Sequence, residues 1–137
     1  MDITDQITPF SWIEHDDESA SVTLYTSHKY KKELFKTRKK EGFDGSGYDW
    51  ESLAQVFIQE KAPDLQHVIK FDPEQLMFCA YSSDVVALKR FAIMFKNVCE
   101  NEELVKDIFS RTSPQKPMTK KELEAFMAKV FNMNTDQ

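Results

Sequence analysis

All three glycines of this 137-residue chain, Gly42, Gly45 and Gly47, fall within the nine positions from Gly42 to Trp50. Glycine takes φ > 0 without steric cost, so a chain that keeps its whole supply here has placed a sharply turning backbone at one point. Phe43, Tyr48 and Trp50 stand among the glycines, and rings at such a turn either anchor it to a core or offer a surface to a partner. A phosphate-cradling loop would follow a buried strand and complete a Lys-Ser/Thr or G-x-G-x-x-G spacing. Gly45-Ser46-Gly47 instead follows a lysine-rich helical segment and completes neither. Nor do Asp44, Asp49 and Glu51 fit the alternating ladder of a calcium loop. The spacing predicts a structured turn in which Asp49 caps the next helix and Glu51 sits favourably in its first turn.

With 41% hydrophobic and 12% aromatic residues the chain can fill one core, and its length suits a single domain over residues 1–137. Its 23 acidic residues against 18 basic ones leave a charge of −5, which disfavours general affinity for phosphate backbones and suits a basic partner. No apolar run nears the ~20 residues that cross a bilayer. The start Met1-Asp2-Ile3-Thr4-Asp5-Gln6 also lacks the basic and apolar regions of a signal peptide. The expectation is a cytoplasmic protein with no membrane partner. Cys79 and Cys99 lie in apolar settings without zinc-type spacing and read as reduced core residues rather than a disulfide.

Taken in order, a frayed start leads to strands over Phe10–His15 and Ser21–Thr26, where Val22 and Leu24 alternate with Ser21 and Thr23 at the period of a half-buried strand. Asp16, Asp17 and Glu18 form the acidic tip of this hairpin: a solvated turn, or a negative patch for a cationic partner. Lys29–Glu41 reads as a helix carrying seven of the 18 basic residues. Past the glycine loop, Trp50, Leu53, Ala54, Phe57, Ile58 and Lys61 recur at helical spacing, and Pro63 ends that helix. Val68–Asp72 and Met77–Ser82 form a second hairpin turning across Asp72-Pro73-Glu74-Gln75. The unbroken run Met77–Tyr81 predicts a strand covered on both faces or central in its sheet.

Ser82 and Ser83 are candidate caps for a helix with the long stripe Leu88, Phe91, Ala92, Phe95, Val98 and Cys99, and Asn101 caps a shorter one. After the loop Thr112–Pro117, Thr119-x-x-Glu122 is a capping box and Met118 with Leu123 a hydrophobic staple, opening a last amphipathic helix. Two hairpins with helices between and after them predict an α+β domain: a four-stranded, mainly antiparallel sheet with helices on one face, plus the C-terminal helix.

No catalytic set emerges. His15, His28 and His67 have no nucleophile motif nearby, and no pair has metal-ligand spacing. The chain reads as a non-enzyme with no cofactor and no metal.

Several stretches together resemble one family. They are Phe10-x-Trp12-x-Glu14-His15-Asp16, Gly42-Phe43-Asp44-Gly45-x-Gly47-Tyr48-Asp49-Trp50-x-Ser52-Leu53-Ala54, Phe71-Asp72-Pro73-Glu74, Met77-Phe78-Cys79-Ala80-Tyr81-Ser82-Ser83 and Phe109-Ser110-Arg111. Their combination is similar to the bacterial polymorphic-toxin immunity family numbered fifty-one, over about residues 10–111. The chain departs from that family at Leu76, where glycine is usual, and in a C-terminal helical extension over 118–133. The resemblance implies a small cytoplasmic protein that captures a cognate toxin; its free oligomeric state is left open, with a monomer favoured. On that reading Asp16, Asp17 and Glu18 steer a basic toxin domain, and Phe43, Asp44, Tyr48 and Trp50 supply its anchors. The alternative from another class is a nucleic-acid-binding regulator using the basic helix 29–40, which the net negative charge opposes.

Overall fold

The structure, a computed structural model, describes residues 3–115, 121, 124–125 and 127–130. A central antiparallel sheet is built from β1 (Ser11–Glu14), β2 (Ala20–Leu24), β3 (Lys70–Phe71) and β4 (Phe78–Ser82), in the order β1-β2-β4-β3. β2 and β4 are the inner strands, as the unbroken apolar run of the latter implies. Their register pairs Val22 with Ala80 and Leu24 with Phe78. Because side chains alternate across a strand, Ala20, Val22, Leu24, Phe78 and Ala80 share one face, and all five are buried in the continuous core.

Five helices fill that face: α1 (Ile3–Ile7), α2 (Lys32–Lys36), α3 (Gly47–Lys61), α4 (Val85–Glu100) and α5 (Glu102–Ser110). Each sends apolar side chains into the same core, from Ile7 of α1 to Ile108 and Phe109 of α5. The four-stranded antiparallel sheet of two hairpins with helices on one face, expected from the sequence, is the fold this chain adopts. Trp50 is its hub. The ring is fully buried, lies 5.2–6.4 Å from Phe10, Tyr30, Phe35, Phe78 and Phe95, and donates Nε1–H to Ser27 O at 3.0 Å. Such ring pairs add roughly 0.5–1.5 kcal/mol each beyond area burial.

Several local expectations are corrected. The start is helical in α1, whose Ile3 and Ile7 both reach the core. The helix expected over Lys29–Glu41 breaks into pieces: Lys31 takes φ 56°, α2 spans only five residues, and a 3₁₀ turn covers Lys39–Glu41. Tertiary contacts override local propensity there. Tyr30 stacks on Trp50 and donates to Glu100, while Lys31 Nζ reaches Glu102 Oε1 at 2.9 Å. The hydrogen bond from Tyr30, with Lys96 and Lys31 beside it, holds Glu100 below the usual glutamate range.

The second hairpin turns later than Asp72–Gln75. Glu74 and Met77 exchange backbone hydrogen bonds of 2.8 and 3.3 Å, leaving Gln75-Leu76 as the two-residue tip, and β3 is only two residues long. Leu76 does not take positive φ, so this turn makes no demand for glycine.

Caps also move. Ser46 caps α3, its Oγ accepting from Asp49 N at 3.2 Å, in place of Asp49. Asp84 caps α4, accepting from Ala87 N at 3.0 Å, in place of Ser82 or Ser83. Ser82 Oγ instead donates to Val68 O at 2.8 Å, tying β4 to the chain entering β3. Asn101 caps α5 as expected, with Oδ1 3.1 Å from Leu104 N. Helical backbone returns at Lys121, 124–125 and 127–130 in the C-terminal helix. Its expected capping box and staple (118, 119, 122 and 123) lie outside the described residues.

Candidate functional site

The glycine loop is an internal knot. Phe43 and Trp50, expected as partner anchors, are 2% and 0% exposed. Spacing alone does not distinguish a ring that anchors a turn from one that faces outward, and here both point inward. Phe43 packs 4.8 Å from Phe109, with the Arg38 guanidinium 4.7 Å from its ring. Of that group Tyr48 is half-buried and Asp44 exposed, so these two supply nearly all of its surface, with only an edge of Phe43 lining a cavity.

Beneath the loop, Asp49 Oδ2 accepts the N–H groups of Asp44 and Gly45 at 2.7 and 2.9 Å. Burial, and then the carboxylate of Asp44 beside it, push Asp49 up to about 6. Asp44 lies below its ordinary value: its contact with Asp49 and the hydrogen bond from Ser46 N (3.0 Å) outweigh its partial burial. Its other oxygen accepts from Gln75 Nε2 at 3.2 Å, joining the loop to the second hairpin. These contacts hold shape and leave both carboxylates committed.

The acidic tip of the first hairpin is exposed at Asp16, Asp17 and Glu18. Asp17 accepts from Ser19 Oγ (2.5 Å) and Ser19 N (3.1 Å), which keeps it ionised below the usual aspartate range. Asp16 and Glu18 have no ion pair among the described residues, so their charge projects into solvent.

The face of the sheet away from the helices is a surface that sequence reasoning did not single out. Alternation places Ile13, Ser21, Thr23, Cys79 and Tyr81 on it, and Tyr25 continues the same series past β2. Cys79 is buried yet stands apart from the continuous core, as a residue on this opposite face should. Tyr25 and Tyr81 are 59% and 38% exposed beside the buried small residues Ser21 and Thr23. Thr23 Oγ1 has no hydrogen-bond partner among the described residues. The signal was present in the sequence as Ser21, Thr23 and Tyr25 alternating with Ala20, Val22 and Leu24.

For catalysis the arrangement offers little. His15 Nε2 is hydrogen-bonded to Ser21 Oγ at 2.7 Å, but no carboxylate orients the other ring nitrogen among the described residues. No group of three or more His, Cys, Asp or Glu among the described residues could hold a metal ion. Among them, too, no helix is long and apolar enough to cross a membrane. The break at Lys31 divides the basic segment, turning Lys31 and Arg38 to intramolecular partners, so no continuous cationic helix exists for a nucleic-acid groove.

An antiparallel sheet backed by helices on one face, with its aromatic loop used internally, is the class this fold defines. The family model of Immunity protein 51 matches residues 10–114, from Phe10 through the end of α5. The chain belongs to that immunity protein family. No curated protein and no solved structure matches it.

Proposed function

We propose that this protein neutralises a cognate bacterial toxin by binding it, with no catalysis of its own. The match to Immunity protein 51 across residues 10–114 carries the reading. Two features of the surface support it. Tyr25 and Tyr81 stand exposed on the sheet face opposite α1 to α5, and tyrosine is enriched among the residues that dominate binding energy at interfaces. Asp16, Asp17 and Glu18 supply negative potential at the edge of the same sheet, which would accelerate encounter with a basic toxin domain. Asp44 and Tyr48 are further surface positions on this reading, whereas Phe43 and Trp50 act through the fold. The protein works as a monomer in the cytoplasm of the cell it protects.

Co-expression with the toxin encoded beside it tests the proposal. Survival of the cells and co-elution of the two proteins on a sizing column are expected. Continued killing with no complex would contradict it.

A further inference from the structure

The seven cations between Lys29 and Lys40 have different fates in the fold. Lys31 pairs with Glu102 and Glu100, and Arg38 pairs with Glu41 while donating to two backbone carbonyls. Lys32, Lys36 and Lys39 have no acidic partner among the described residues, and all three line one cavity of about 280 Å³. His28 adds to its wall. Phe35 and Phe43, each 2% exposed, form an apolar floor.

In a chain of net charge −5, acids are in excess, and Arg90, Lys96 and Arg111 are all ion-paired. Other lysines, such as Lys61, Lys70, Lys89 and Lys106, are also without an ion pair among the described residues, but Lys32, Lys36 and Lys39 converge on one concavity and concentrate positive potential there. We propose that this cavity binds a small phosphate ester, the lysines holding the phosphate oxygens and the apolar body of the ligand resting on Phe35 and Phe43.

Size and surrounding charge narrow the ligand. At about 280 Å³ the cavity lies just below the roughly 300 to 1,000 Å³ of most ligand cavities, so it suits only a small ester, an aryl phosphate or a single mononucleotide. An extended polyanion does not fit. Glu33 and Glu41 are exposed on the same segment, and Asp44 lines the cavity itself, so a strand leaving the lysines meets carboxylates. Asp44, already engaged by Ser46 N and Gln75 Nε2, stands at the cavity wall as a charge that opposes a second phosphate.

Calorimetric titration of the full chain at low salt, with AMP, phenyl phosphate, inorganic phosphate and a single-stranded oligonucleotide as probes, tests the site. AMP or phenyl phosphate should bind more tightly than inorganic phosphate, because only the esters use the aromatic floor, and added salt should weaken binding. Replacing Lys36→Gln together with Lys39→Gln should reduce affinity about tenfold or more without moving the thermal midpoint, since both side chains are exposed. Lys61→Gln, at an exposed lysine outside the cavity, should change neither. Three results would overturn the proposal: no binding of any small phosphate at millimolar concentration, unchanged binding by the double variant, or an oligonucleotide that binds far more tightly than AMP.

Discussion

A Cβ built on Gly47 would stand 2.0 Å from the carbonyl oxygen of Met77 and 2.2 Å from that of Glu74. The first residue of α3 thus lies directly against the tip of the second hairpin, and Gly47 N donates to Gln75 O at 3.2 Å across the same contact. Both obstructing atoms are backbone and cannot rotate away.

Gly47→Ala should therefore destabilise the protein by about 3 kcal/mol or more. Gly45→Ala should cost less, about 1–2 kcal/mol, because its penalty is the positive φ of 80° and a Cβ only 3.3 Å from Ser27 O. Denaturant midpoints of the two variants give the ranking, and a Gly47→Ala protein as stable as the parent would refute the packing described.

Arg38 closes the far side of the loop. Its guanidinium lies 4.7 and 4.9 Å from the rings of Phe43 and Phe109, and Nη1 donates to the carbonyls of Phe109 and Thr112, where α5 ends. Arg38→Met should cost about 2 kcal/mol through the lost stacking and the unpaired carbonyls. Arg38→Lys should recover only part of this, since an ammonium lacks the planar fork. Full recovery by lysine in thermal melts would show that charge alone matters.

Asp49 gives a pH signature. Its folded value, raised to about 6, exceeds the unfolded one, so the native state holds the proton more tightly. The resulting stability is present below the unfolded value, near 4, and is lost as pH rises through about 6. Asp17, Glu41, Glu60 and Glu100 are lowered and act in the opposite sense on acidification. The difference between wild type and Asp49→Asn cancels the contributions of those distant groups and reports the Asp44–Asp49 pair: it should shift in favour of wild type as pH falls from 7 to 5. A difference that stays flat over that range would contradict the assignment.

How much of this was legible in the sequence depends on what each signal measures. Apolar periodicity located α3, α4, α5 and both hairpins, because burial of one face is a local pattern. It failed at Lys29–Glu41, where the geometry is set by Glu100 and Glu102, some seventy residues away in the chain. The five-residue α1 was missed although Ile3 and Ile7 are spaced for one helical face. Glycine clustering marked the loop correctly but not the side its rings take. The acidic tip was plain as the run Asp16-Asp17-Glu18, while the exposure of Tyr25 and Tyr81 together on one sheet face required the register of β2 and β4.

The two aromatic groups should separate in experiment. Trp50→Ala removes the hub of the core and should cost about 3–5 kcal/mol, weakening any complex only through unfolding. Tyr25→Ala and Tyr81→Ala should leave stability within about 0.5 kcal/mol, yet each should weaken toxin binding by about 1–2 kcal/mol or more. Chemical melts paired with affinity measurements distinguish the classes. Unimpaired toxin binding by the double tyrosine variant would remove the sheet face from the account.

The central claim is that protection comes from occupancy of the toxin, and titrating a fixed amount of active toxin with this protein tests it most directly. Residual toxin activity should fall in proportion to the protein added and reach its floor at a fixed molar ratio, with a complex of that ratio recovered intact. Loss of activity at a small fraction of that ratio, or with no complex formed, would mean that the protein acts by turnover and that the account is wrong.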